Sequence, residues 1–150
     1  MEYNDNQISS PAQFENLAKE YSQMLQKKHA VLSQGKEIVS LLNFLSWLYD
    51  FIRKNIKSQK LKLFLQKAIH QNALDISDIH FLFNLNQTES QFQKPKQINS
   101  FSQCLSLAIK TETQLVKTLL NETSYNLGSV IFEIAQLHLE NIKELSSYIY

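Results

Sequence analysis

Two glycines and two prolines in 150 residues leave this chain very few places to turn. An average chain carries the pair at roughly 12% of its positions. Gly35 and Gly128 stand far apart. Neither can belong to a phosphate-cradling loop or a dinucleotide fingerprint, which need several neighbouring positions free of Cβ. All-β architectures need a turn residue every ~8–12 positions and are excluded on the same ground. What remains is an all-α chain of a length that suits one domain with a sizeable core.

Charge narrows the partners. Fifteen Lys and Arg stand against 14 Asp and Glu, so there is no basic excess to draw the chain onto nucleic acid or an anionic membrane. Charged residues are only 19% while hydrophobic ones are 43%, which points to a packed fold rather than disorder. Cys104 is the single cysteine. No internal disulfide can form, and a reducing, cytoplasmic setting is expected. The stretch MEYNDNQISS has neither a basic n-region nor an apolar h-region, so no signal peptide is expected. The most apolar run, residues 38–52, is shorter than a ~20-residue span and contains Ser40, Asn43, Ser46 and Asp50. No membrane span is expected.

The helices follow from period and caps. Residues 1–10 read as a flexible N-terminus. A first helix over 11–34 opens on a Ser10-Pro11-x-Gln13 capping box and carries Phe14, Leu17, Tyr21, Leu25 and Leu32 at helical spacing. Gly35 is its expected stop. A second helix, 36–57, has the seam Ile38, Leu41, Leu45, Leu48 and Ile52, widened by Leu42, Phe44, Trp47, Tyr49 and Phe51. A helix this apolar needs cover on several sides. Phe44, Trp47 and Phe51 read as core, or as an interface where the first helix or a second copy docks. A third helix, 58–84, carries Leu61, Leu65, Ile69, Asn72, Ile76, Ile79 and Phe83. Asp75, Ser77 and Asp78 are poor mid-helix residues and mark a point where it can break. The polar stretch 86–97, with Phe92 able to pin it and Pro95, is the long connection.

The last two helices, 98–121 and 124–148, show the clearest pattern. Phe101, Leu105, Ala108, Glu112, Leu115 and Leu119 step by fours and threes. Gly128, Ile131, Ala135, His138, Ile142, Leu145 and Ile149 do the same. These are heptad seams of antiparallel bundle helices. Each holds one polar intruder, Glu112 and His138, equally far from a tight turn near residue 125. At a common ~1.5 Å rise per residue the two should meet inside the bundle. A facing carboxylate and imidazole is a buried hydrogen-bonded pair or a metal-ligand pair. His29, His70 and His80 share no ligand spacing, and Cys104 reads as a small core residue.

Two helices, a long crossover and two more helices, with AIKTETQLVKTLL followed by SVIFEIAQLHLENIKEL, resemble the rubrerythrin-like and spore-coat-like members of the ferritin-like superfamily. The resemblance implies a ferritin-like four-helix bundle, here with an extra N-terminal helix. A plain five-helix up-down bundle is the alternative. It puts Glu112 at the family's third-helix glutamate and His138 at the histidine of its Glu-x-x-His. Ala135 replaces that motif's glutamate, and Leu45, Ile69 and Asn72 fall where the family has Glu, Glu and His. With four of six ligands absent, dinuclear iron chemistry is not expected. The expected function is a non-enzymatic structural or protein-interaction role without a cofactor, of a kind the resemblance links to bacterial coat or accessory proteins. One alternative is a metal-binding protein holding a single Fe or Zn through Glu112 and His138. Another is a helical effector or adaptor docking through residues 38–52. The expected partner in each non-metal reading is a protein, a second copy included.

Overall fold

The structure, a computed structural model, describes residues 11–86, 92, 94, 95, 100–121 and 128–149, except the side chains of residues 27, 29 and 31. The expected flexible stretch 1–10, the Ser10 cap and the turn at 122–126 lie outside the described residues. Among those described there are four α-helices and no strand: α1 Pro11–Lys54, α2 Gln59–Leu82, α3 Phe101–Leu119 and α4 Ser129–Ser146. Ser58 caps α2 by accepting from the Leu61 N–H, and Ser100 caps α3 by accepting from that of Gln103. Gly128 opens α4 at φ 102°, a left-handed conformation that costs glycine little. No described helix is long and apolar enough to cross a membrane.

Side-chain contacts set the helix directions. Asn72 on α2 donates to Ser46 on α1 at 3.2 Å, and Phe83, just past α2, lies on Gly35. These two helices are therefore antiparallel. Gln34 on α1 donates to the Thr118 carbonyl of α3 at 2.9 Å, while Ile52 and Ile56 line a pocket with Phe101 and Cys104. So α3 is antiparallel to α1, and parallel to α2. The path from Phe83 to Ser100 must then run back along the bundle. Its described residues trace that route: the Phe92 ring lies edge-on to Phe44 at 5.6 Å and the Lys94 ammonium sits 5.7 Å from the Trp47 ring centre. With α4 returning beside α3, the order is up, down, down, up.

Two expectations are corrected here. Gly35 does not end a helix: α1 runs unbroken for 44 residues. A glycine inside a helix costs ~1 kcal/mol relative to alanine, but this one admits a close neighbour. A Cβ at residue 35 would lie 2.7 Å from the Phe83 ring. Because 11–34 and 36–54 are one rod, the first half cannot fold back over the aromatic face of the second. Phe44, Trp47 and Phe51 are half-buried, in ring contact in series along the helix and, for Phe44 and Trp47, with Phe92 instead. Asp75 does not break α2 either; it lies buried inside it.

Gly35→Ala should lower stability in urea denaturation, because overpacking at ~1–3 kcal/mol exceeds the propensity gain. Adding Phe83→Leu should recover part of the loss. A stabilising Gly35→Ala would show that the Phe83 contact does not govern this position.

Candidate functional site

The most regular buried positions of each helix step by threes, fours or a whole heptad. They are Ile38, Leu42, Leu45, Tyr49 and Ile52 on α1, and Leu61, Leu65, Ala68, Asn72, Asp75 and Ile79 on α2. On α3 they are Leu105, Ala108, Glu112, Leu115 and Leu119; on α4, Ile131, Ala135, His138 and Leu145. This periodicity turns one polar side chain from every helix into the same dry layer. Tyr49, Asp75, Glu112 and His138 are each at most 1% exposed.

Their hydrogen bonds form a chain across the bundle. The Tyr49 hydroxyl donates to Glu112 Oε1. His138 Nδ1 lies 2.5 Å from Glu112 Oε2, and its Nε2 lies 3.0 Å from Asp75 Oδ2. Gln71 donates to the other Asp75 oxygen at 2.9 Å, and Asn141 reaches Glu112 at 3.4 Å. Carboxylates on both sides of one ring call for an N–H on each nitrogen, and only the imidazolium has two. Burial alone would lower the His138 pKa; the bonds to Asp75 and Glu112, with their charge, more than offset it and push it up to about 9. Burial, then the charge and hydrogen bond of Glu112, raise the Tyr49 pKa, so its hydroxyl remains a donor.

The layer suits a lock better than an active centre. Its four side chains are closed to solvent. Its donor set also does not fit the dinuclear metal of the ferritin-like resemblance. Leu45, Ile69 and Ala135 have no ligand atom, and the two carboxylates sit at opposite nitrogens of one ring rather than around one point. Among the described residues no group of three or more His, Cys, Asp or Glu is placed to hold a metal ion.

Glu112 and His138 stand together where equal distance from their turn places them. Tyr49 and Asp75 are the members the sequence pattern misses. Tyr49 reads as one aromatic among several, and Asp75 as a helix breaker. The signal for Asp75 is a strict heptad: counting from Leu61 through Ala68 rather than Ile69 lands on it. The resemblance looks to Leu45, Ile69 and Asn72 in the first half, but the groups reaching the layer come about one turn later along each helix. Asn72 is buried in the α1–α2 seam with its Oδ1 accepting no hydrogen bond. His70 is exposed, His80 half-buried, and the side chain of His29 is outside the described residues. Cys104 is buried and its thiol pKa is raised by that burial, which suits an inert core residue. Comparison with protein-family models, with curated proteins and with solved structures finds no match for this chain.

Two outcomes are expected of the layer. The folded chain holds a proton at His138 up to about pH 9, whereas an unfolded imidazole releases it near ~6.5. Folding stability is therefore fullest below the unfolded value and falls as pH rises from there towards 9, by on the order of 3 kcal/mol. Denaturation across this window checks it; a slope unchanged in His138→Gln would assign the effect elsewhere. His138→Ala strands two buried carboxylates and should cost about 3–5 kcal/mol. Tyr49→Phe leaves Glu112 its other donors and should cost about 1–2 kcal/mol. Equal losses in the two variants would refute imidazolium as the centre of the layer.

Proposed function

We propose that this chain is a non-catalytic structural protein that acts by docking, built on a degenerate ferritin-like bundle. The bundle is the anchor and the N-terminal half of α1 is the docking arm. The observation that carries this reading is the arm's surface. Every described side chain from Pro11 to Ala30 is exposed, and among them Phe14, Tyr21 and Met24 are 64%, 64% and 67% exposed, with Leu17 and Leu25 on the same face. A stripe of large apolar side chains exposed along one face of a helix marks an interaction surface rather than scattered surface residues.

The bundle contributes rigidity. Its up-down-down-up order with a lengthwise connection is what the ferritin-like reading requires, and Glu112 and His138 occupy matching places in that pattern. The first-half positions carry no ligand set, and the ionic layer that replaces it ties four helices together. In this reading the bundle is a scaffold without metal chemistry, and the arm is the working part.

A photo-crosslinking residue in place of Tyr21, in the full chain expressed in cells, tests the reading. A discrete protein adduct is expected, and it should disappear when Leu17→Lys and Met24→Lys are added. Those two changes should leave the thermal unfolding of the bundle within about 0.5 kcal/mol of wild type, since neither residue touches it. Absence of any protein adduct would overturn the docking reading.

A further inference from the structure

We infer that the edge between α2 and α4 is the latch of this bundle: loss of the imidazolium proton from His138 parts that edge and leaves the α3–α4 hairpin closed. The device lies inside the bundle and is independent of the docking arm.

The four helices do not close on one another equally. Among the described residues, α1 packs closely along both α2 and α3, and α3 packs closely along α4. With α1 beside α2 and α3, and α4 beside α3, the ring of four is completed where α2 meets α4. Among the described residues no comparable close packing of backbones joins those two helices. Their edge is bridged instead by long side chains at the level of the ionic layer, where His138 Nε2 lies 3.0 Å from Asp75 Oδ2. Both side chains are 1% exposed, so this bridge stands in a dry setting in which a lost partner is felt strongly.

The groups facing the ring are Asp75 from α2, Glu112 from α3 and, through Glu112, Tyr49 from α1. While the ring is charged, each nitrogen carries an N–H and each carboxylate receives one. A neutral ring keeps a single N–H for two carboxylates. The contact between Nδ1 and Glu112 Oε2 is only 2.5 Å long and spans two closely packed helices that cannot separate to relieve it. The remaining N–H is therefore held on Nδ1, and the bare Nε2 lone pair faces Asp75. Tyr49 adds no further charge, since burial and then Glu112 raise its pKa and keep the hydroxyl protonated.

A lone pair against a buried carboxylate repels, and the α2–α4 edge is the place where the bundle can yield. Parting it lets water reach Asp75, whose other oxygen keeps the bond from Gln71 at 2.9 Å because both residues lie on α2. Glu112 keeps Tyr49 and Asn141 as donors. The pairs α1–α2 and α3–α4 hold their packing, and the α1–α3 seam, tied by Gln34 to the Thr118 carbonyl, acts as the hinge. Burial opposes the His138 charge, and Asp75 and Glu112 together hold it up to about 9. The closed edge is thus fully stable below the unfolded value of ~6.5 and weakens as pH rises from there through 9.

Pairs of spin labels on the full chain, with Cys104→Ala to remove the native thiol, read the two edges separately. One chain carries Ser77→Cys on α2 with Glu140→Cys on α4, and the control carries Lys110→Cys on α3 with Glu140→Cys; all three positions are exposed. As pH rises from ~7 to ~10, the α2–α4 separation should gain a population longer by ~3 Å, the width of one water layer, while the α3–α4 separation stays constant. Asp75→Asn should abolish this response and keep the edge closed throughout, because an amide accepts from a protonated Nε2 and donates to a bare one. An α2–α4 separation that is constant over the whole range would overturn the latch. So would both separations lengthening together, which is global unfolding. An Asp75→Asn chain that folds and opens at the same pH as wild type would overturn the Asp75–His138 bridge as the part that lets go. The pH series on the chains that retain Asp75 decides the matter even if Asp75→Asn fails to fold.

Discussion

The imidazolium of His138, held between Glu112 and Asp75, is the contact on which the register of the whole bundle depends. Above and below it the seams are mostly Leu, Ile and Ala, apart from Asn72 bonded to Ser46, and such side chains pack against one another in many ways at small cost. The ionic layer has no such tolerance. If α4 slid by one heptad, Ile131 or Leu145 would face the two carboxylates, and both charges would be buried without a partner. That outcome costs several kcal/mol. Apolar burial therefore drives the helices together, and the ionic layer decides at which level they stop. Tyr49 extends the same control to α1 through Glu112, so each of the four helices is tied to the layer by one side chain.

The lengthwise connection is the second constraint. Because α2 and α3 run the same way, the chain must travel back outside the bundle between them. Phe92 and Lys94 attach this path to Phe44 and Trp47, which explains why the second half of α1 is more apolar than its neighbours α2 and α3 demand. At the other end, Phe83 folds onto Gly35 and closes the bundle. Ahead of this point, every described side chain of α1 from Pro11 to Ala30 is exposed. One helix thus serves as core element and as free arm, with the same heptad in both halves. Free helices of this length are marginal in water and gain most of their stability from packing.

The all-helical class and most seams were legible in the chain itself. Two glycines cannot support other architectures, and heptad spacing survives without knowledge of neighbours because it depends only on the helical repeat. The meeting of Glu112 and His138 was legible for a related reason: two helices joined by a short turn have nearly equal heights at equal distances from it. Tyr49 and Asp75 were obscured because an aromatic among aromatics, and an aspartate beside Ser77 and Asp78, carry local preferences that point to generic core and to a helix break. Burial against His138 overrides those preferences, and only the assembled bundle brings His138 there.

Local chemistry therefore determined the helices, their apolar faces and one pair of the central layer, since these depend on period and on short separations in the chain. Tertiary structure decided that Gly35 sits inside a helix, that Asp75 completes the layer, and that the described side chains of residues 11–30 lie exposed. The physical reason is the same in each case. A glycine's local signal is to stop a helix and an aspartate's is to avoid its middle, but the free energy of each position is set by what packs against it. For Gly35 that is the Phe83 ring, and for Asp75 the imidazolium of His138.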